Sequence, residues 1–168
     1  MKHLNSILIL ATLLLLSSCK GTRNSNELAL FNNISFFLEE NERIETITPQ
    51  LSDDFQHYYQ NDHFQVPLFR CIKGAEYTIF IGLPFNTNIH DLIEFQKLLQ
   101  DSVISELITD NTSYYLIERK IGDDYYMEYA INCDHNLISI LAVSQDKETL
   151  NHHFNYDKIS NRLSSCVK

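Results

Sequence analysis

Tryptophan is absent from this sequence, and glycine, proline and methionine number only four, three and two among 168 residues. So few glycines leave little means of building the glycine-rich loops that hold phosphates against the backbone. The sequence contains no phosphate loop, dinucleotide fingerprint, Gly-x-Ser-x-Gly elbow or His-Glu-x-x-His zinc motif. Catalysis by residues that are distant in sequence remains open, since triads need not be local, and no cofactor is expected.

Positive charge is also scarce, because 13 Lys and Arg residues face 22 Asp and Glu residues and the net charge is −9. An acidic surface repels phosphate backbones and anionic lipid headgroups, so nucleic-acid binding is not expected. The sequence has one hydrophobic run near its start and no second hydrophobic span. The membrane affinity predicted below must therefore come from a lipid.

The first 18 residues have the features of an export signal. Lys2 gives a positive start, and an apolar run from Ile7 to Leu16 is interrupted only by Thr12. At about ten residues, this run is too short to cross a bilayer of roughly 30 Å as a permanent helix. Small residues, Ser17 and Ser18, complete the pattern of a cleavage site.

The end of this signal, Leu16-Ser17-Ser18-Cys19, resembles the lipobox of bacterial lipoproteins, in which cleavage exposes a cysteine that becomes acylated. The resemblance implies cleavage before Cys19 and stable anchoring of that cysteine in a membrane by more than one acyl chain. The alternative is a conventional signal peptide, or an uncleaved anchor, that carries a cysteine by coincidence.

The predicted organisation is a signal peptide (1–18), a lipidated cysteine with a polar tether (19–26) and one domain (27–168). The tether reaches about 20 Å, so the domain is expected close to the membrane. Lys20 stands where an aspartate retains some Gram-negative lipoproteins in the inner membrane, which favours the outer membrane.

In the first half of the domain, apolar residues at spacings of three and four predict a helix over Glu27 to Glu40. A second, short helix is expected to be capped by Ser52-Asp53-Asp54 and to end at Tyr59. A glycine turn between two β-branched and aromatic runs predicts a hairpin of Phe64 to Ile72 with Glu76 to Gly82.

In the second half, Asn88 caps a helix whose apolar stripe extends to Leu107. Three consecutive antiparallel strands follow, and a closing helix begins near Asp146 and is kinked around Asn155. The sum is an α+β domain with an antiparallel-rich sheet of about five strands and helices packed on it. This order of elements resembles the Mog1/PsbP-like fold, but no motif carries a function across. The predicted strands are Ser113 to Ile121, Tyr125 to Asn132 and Leu137 to Ser144.

Following this predicted path, Cys71, Cys133 and Cys166 lie at the same end of the sheet as the turn from Lys73 to Ala75. In an oxidising compartment, Cys166 could form a disulfide with Cys71 or Cys133, or the three could remain isolated thiols. A further alternative is a metal site of the three cysteines with His135, since zinc accepts three thiolates and an imidazole. On the same path, Asp134 joins His135, and the opposite end holds Asn86, Asp123, Asp124 and Asp146.

A local cluster of acids and imidazoles could hold a metal or act in acid–base chemistry. Acids that start a short helix and histidines on its exposed face produce the same pattern without any function, and this explanation is preferred. The cluster consists of Asp53, Asp54, His57, Asp62 and His63.

The preferred function is therefore non-catalytic: an envelope lipoprotein whose acidic domain contacts another envelope protein. It could act as an assembly subunit, an inhibitor or an immunity-type factor. The alternative is an envelope hydrolase or metal-dependent enzyme that uses the Asp53 to His63 cluster or the cysteines.

Overall fold

Nine strands and four helices occur in the described part of the computed structural model, residues 26–31, 34–59, 66–84, 87–99, 102–108, 113–133 and 136–163. The strands are β1 (Glu27–Phe31), β2 (Ile34–Phe37), β3 (Arg43–Glu45), β4 (Leu68–Lys73), β5 (Thr78–Gly82), β6 (Val103–Ile108), β7 (Ser113–Ile121), β8 (Asp124–Cys133) and β9 (Asn136–Ser144). The helices are α1 (Pro49–Tyr59), α2 (Ile89–Leu98), α3 (Lys147–His153) and α4 (Tyr156–Arg162). Among these helices, none combines the length and the apolar character needed to cross a membrane.

Seven of the strands form one sheet in the order β3-β4-β5-β9-β8-β7-β6, and all neighbours are antiparallel. The remaining two, β1 and β2, pair with each other as a separate hairpin. The α+β class, the single domain and the antiparallel-rich sheet are thus confirmed. The sheet has seven strands where about five were predicted.

Both faces of the sheet are covered, and side chains alternate between two cores along each central strand. Met127, Tyr129 and Ile131 of β8 face the side covered by the β1-β2 hairpin, α3 and α4, which is called the hairpin face. Ala130 of the same strand points to the side covered by α1 and α2, called the α1–α2 face. Because neither face of the central strands meets solvent, β9 is buried continuously from Leu137 to Ala142.

The predicted helix over Glu27 to Glu40 is wrong, because this segment contains the β1-β2 hairpin. Leu28 and Leu30 are buried in β1, as are Ile34 and Phe36 in β2, so the apolar period within each strand is two. The step from Leu30 in β1 to Ile34 in β2 supplies the spacing of four that imitates a helix.

The helix predicted from Asn88 is confirmed in its first part only. The Asn88 side chain accepts a hydrogen bond of 3.0 Å from the Asp91 amide, as an N-cap does. The helix ends at Leu98, and the rest of the apolar stripe belongs to β6, which pairs with β7 in regular register. β-branched residues at Val103 and Ile104 favour a strand over a helix here.

Because β6 was not predicted, β7, β8 and β9 run in the directions opposite to those predicted. Thr78 pairs with Val143, and Val143 pairs with Tyr126, so the start of β5, the end of β9 and the start of β8 share one end of the sheet. The turn at Gly122, which has a φ of 60°, therefore lies at the end where β5 begins. The placement of Asp123, Asp124 and Asp146 at the opposite end was wrong.

Other local predictions are confirmed. The β4-β5 hairpin and the strands β7, β8 and β9 match the predicted runs closely. The closing helix is divided at the expected place, with Asp146 capping α3 and Asn155 capping α4. Helix α1 begins earlier than predicted, at Pro49, and the Leu51 amide donates to the Thr48 hydroxyl oxygen at 3.3 Å. Proline suits this first position because no partner is available there for an amide hydrogen.

Arg162 joins α4 to the segment that follows β2. It is 5% exposed, donates from Nε to the Phe37 carbonyl at 2.9 Å and pairs through Nη2 with Glu42. Glu42 also accepts a 2.8 Å hydrogen bond from the Tyr77 hydroxyl, and its side chain is fully buried. This ion pair therefore joins α4, the loop after β2 and the β4-β5 turn.

We expect Arg162→Ala to lower the free energy of unfolding by about 3 kcal/mol or more, because it leaves the Glu42 charge buried without its cation. Urea unfolding followed by circular dichroism measures the change. Arg43→Ala is the matched control, since the Arg43–Glu45 pair is exposed and such pairs contribute about 1 kcal/mol or less. Equal losses in the two variants would contradict the role given to Arg162.

Candidate functional site

A groove of about 420 Å³ separates the outer part of α1 from the α1–α2 face of the sheet. It is called the α1 groove here. Its floor is largely apolar, with Phe80, Leu141 and Val143 from the sheet and Leu51 from the helix. The other lining residues, mostly polar, are Asp54 and His57 from α1 and Lys73, Thr78, Asp124 and Tyr126 from the sheet.

The register of the sheet places the groove residues of four strands side by side. Lys73 pairs with Thr78, Thr78 with Val143, and Val143 with Tyr126. Since neighbouring strands lie about 4.8 Å apart, this row extends about 14 Å from β4 to β8. Concave surfaces with an apolar floor and a few polar groups are typical of binding sites.

The position of α1 above the sheet is fixed partly at Gly82. A Cβ atom added there would lie 2.6 Å from Val66 Cγ1 and 2.7 Å from Phe55 Cζ, which is closer than any real contact. Only glycine lets Phe55 of α1 approach the sheet this closely. The helix therefore rests directly on the Gly82 end of β5, and the groove opens towards the other end of that strand.

The charges at the groove act on Tyr126. Burial raises the pKa of its hydroxyl, the negative charges of Asp124 and Asp54 raise it further, and Arg119 opposes them. Asp54 accepts a 2.7 Å hydrogen bond from Gln50, and Lys73 donates to the Thr78 hydroxyl at 2.9 Å. Neither Asp124 nor Lys73 has an ion-pair partner among the residues that the structure describes.

A second recess of about 560 Å³ continues from the groove around the end of the sheet. It shares Lys73, Thr78, Asp124 and Val143 with the groove, and it adds two carboxylates. One of these, Asp146, is occupied as the cap of α3, where hydrogen bonds from the side chain and amide of Thr149 and the amide of Glu148 hold its pKa below the usual value. The other is Glu76.

The acid and imidazole cluster expected near α1 is only partly assembled. Asp54 and His57 line the groove together, whereas Asp53 is exposed and is not among the lining residues. Asp62 and His63 lie outside the described residues. Within the described segments, no three His, Cys, Asp or Glu side chains are arranged to hold a metal ion.

The cysteines do not gather as expected. Cys71 is a free, buried thiol on the α1–α2 face, and burial, with a smaller effect of the Glu45 charge, raises its pKa to about 11. Cys133 pairs with Asn136 at the end of the sheet where β5 finishes, three strands away from β4. Cys71 and Cys133 therefore do not share an end, which corrects the predicted placement. Cys19, Asn86, Asp134, His135 and Cys166 lie outside the described residues, so lipidation and a disulfide to Cys166 stay predictions. The predicted metal site of Cys71, Cys133, His135 and Cys166 is wrong, because the backbones of Cys71 and Cys133 lie about 14 Å or more apart and two cysteines that bind one zinc ion must be much closer.

A buried carboxylate that the sequence analysis did not single out lies beside the groove. Glu128 of β8 is 0% exposed and points to the α1–α2 face. Its Oε1 accepts from Tyr59 at 2.8 Å and from Ser139 at 2.6 Å. Its Oε2 accepts from Tyr58 at 2.9 Å and from the Gln96 amide at 3.0 Å. One acidic side chain thus collects donors from α1, α2 and β9.

Tyr58 connects this buried cluster to the groove. Its ring stacks on Tyr126 with centroids 5.3 Å apart, and the Arg119 guanidinium lies 5.1 Å from its centroid. Arg119 also donates a 2.9 Å hydrogen bond to the Tyr58 carbonyl. Burial, and next the charge of Glu128, raises the Tyr58 pKa well above its usual value, so its hydroxyl remains a donor at neutral pH. The sequence signal for this cluster was Glu128 itself, a charged residue within a strand that is covered on both faces.

Comparison with known proteins identifies the fold but no activity, ligand or partner. No protein-family model and no curated protein matches the chain. Its structure is similar to the solution structure of cyanobacterial PsbP (CyanoP) from Synechocystis sp. PCC 6803, with a TM-score of 0.56 over 88% of this chain and 96% of that chain. The chain has a PsbP-like fold. At 9% sequence identity, the PsbP-like similarity carries no activity or partner, because one fold hosts many functions.

The pKa of Glu128 is raised, because the burial that disfavours its charge outweighs its hydrogen bonds and Arg119. The folded protein therefore holds this proton more tightly than the unfolded chain, whose glutamates titrate near pH 4.3. The stability that Glu128 contributes is full below that pH and is lost as the pH rises through the folded-state pKa. We expect the unfolding free energy of the wild type, relative to Glu128→Gln, to decrease from pH 4 upwards in urea titrations.

Glu94→Gln is the control of opposite sign. Hydrogen bonding and pairing with Lys97 lower the Glu94 pKa, and that residue is on the surface. Its small contribution is present above the unfolded-state pKa and is lost as the pH falls. A wild-type advantage over Glu128→Gln that grew with pH would contradict the assignment.

Proposed function

We propose that this protein is a lipid-anchored lipoprotein of the bacterial envelope, whose domain is a non-catalytic interaction module. Acyl chains on Cys19 would hold it at a membrane, with the outer membrane favoured by Lys20. The partner would be another envelope protein, and the domain would remain within about 20 Å of the bilayer because the tether is short.

The observation that carries the interaction role is the α1 groove. A groove that extends about 14 Å across four strands, with an apolar floor, charged residues around it and a continuation around the sheet end, suits contact with another chain. The PsbP-like fold is compatible with such an accessory role. The deeply buried Glu128 has its hydrogen-bond donors within the protein, so it serves the architecture of the site and not a substrate.

The support for anchoring is the match of Leu16-Ser17-Ser18-Cys19 to the lipobox, with a short apolar run before it and a polar segment after it. The net charge of −9 gives the surface no attraction to anionic lipids, so the acyl chains would supply the affinity.

Cells that express the full chain with an alkyne fatty-acid analogue test the anchor. We expect the wild type to be labelled and to sediment with membranes, and Cys19→Ser to lose the label and retain its leader. Cys71→Ser is the matched control and keeps the label, because Cys71 is buried and lacks a lipobox. Labelling that survives in Cys19→Ser, or a native amino terminus elsewhere, would refute the proposed anchor.

A further inference from the structure

The α1 groove has the width of a short extended peptide. An extended chain advances about 3.4 Å per residue, so about four residues cross the row from Lys73 to Tyr126. The groove also continues into the recess at the sheet end, with which it shares four lining residues. A long, open depression of this kind suits a chain segment better than a single enclosed small molecule.

The apolar floor of the groove and its charged rim, formed by Asp54, Lys73 and Asp124, favour different side chains in a bound segment. Phe80, Leu141 and Val143 offer apolar surface at the bottom. In an extended segment, successive side chains point to opposite sides. Alternate residues could therefore bury apolar groups on this floor while the others point to the rim and the solvent.

The charge of the rim favours a basic occupant. Asp54 and Asp124 both act on the Tyr126 hydroxyl, and Asp124 has no cationic partner among the described side chains. Across the groove and the recess, Asp54, Asp124, Glu76 and Asp146 contribute four carboxylates against one lysine, Lys73. The acidic chain as a whole would attract the same kind of segment.

We propose that the α1 groove binds an extended basic segment of a partner protein, in which lysine or arginine alternates with apolar residues. This rests on the proposed function of the domain as an interaction module. The apolar side chains lie on the floor formed by β5 and β9, and the cationic side chains pair with Asp54 and Asp124. Tyr126 offers its hydroxyl between the two carboxylates.

The test uses the full chain in phosphatidylcholine nanodiscs and a synthetic six-residue peptide in which lysine alternates with leucine, valine and tryptophan. Because the protein has no tryptophan, the fluorescence of the peptide reports binding directly, with empty nanodiscs as the blank. Companion peptides carry glutamate in place of lysine, or serine in place of leucine and valine, and both retain the tryptophan. We expect only the basic apolar peptide to bind appreciably.

The matched variants are Asp124→Asn and Asp123→Asn, which remove the same charge from neighbouring positions. Asp124 lines the groove and Asp123 does not. We expect Asp124→Asn and Asp54→Asn each to weaken binding about two- to fivefold, the range of exposed ion pairs, and Asp123→Asn to leave it unchanged. Thr78→Arg, which adds bulk and positive charge beside the floor of the groove, should abolish binding while its thermal unfolding stays cooperative.

Equal effects of Asp123→Asn and Asp124→Asn would overturn the inference, since they would indicate attraction by the whole acidic surface. Displacement of the peptide by spermidine at equal concentration would also overturn it, because charge alone would then suffice. Binding of the acidic or serine peptide instead would reject the basic apolar occupant but would not contradict the proposed role as an interaction module. If no peptide binds, this inference fails, and crosslinking of the groove to a partner in membranes tests the interaction role separately.

Discussion

The hydrogen bonds that converge on the buried Glu128 carboxylate are the interaction on which the α1–α2 face depends. Withdrawing a carboxylate from water costs several kcal/mol, and the four donors around Glu128 offset part of that cost. Tyr58 and Tyr59 must therefore stay over β8, and Gln96 must stay beside them. Because Tyr58 also stacks on Tyr126, the same constraint sets the distance between α1 and the floor of the groove. The groove is thus preorganised by a group that never reaches solvent.

The hairpin face has a polar cluster of its own, the buried ion pair of Arg162 with Glu42. Elsewhere, apolar contacts hold the hairpin and the helices against the sheet, and these contacts are strong but have no preferred direction. The two polar clusters supply the direction, since each requires particular atoms of particular elements to meet. One positions α1 and α2 over β8 and β9, and the other positions α4 against the loop after β2.

The fold could be predicted from sequence where local patterns and turn chemistry agreed. The strands β7, β8 and β9 and the caps Asn88, Asp146 and Asn155 show this agreement. The β1-β2 hairpin was not predicted because the step from Leu30 to Ile34 reproduces helical spacing. Strand β6 was not predicted because its apolar residues extend the stripe of α2. The second error inverted three strands and placed Cys133 and Asp124 at the wrong ends.

The site was less predictable, because most of its residues come from elements that are distant in sequence. Asp54 and His57 were singled out because they are neighbours on one helix, and the structure places both in the groove. Lys73 comes from β4, whereas Asp124 and Tyr126 come from β8, and only the register of the sheet brings these residues together with α1. The burial of Glu128 likewise depends on two covering helices that no local pattern reveals.

The union of the first hairpin with the last helix affects how this molecule must fold. Phe36 pairs with Leu163, and the hydrogen bond from Arg162 to Phe37 spans 125 residues. Contacts of such long range close a large loop and are slow to form. During synthesis, the apolar side of β1 and β2 has no final cover until α4 has been made. The polypeptide therefore cannot complete its native packing before α4 has left the ribosome.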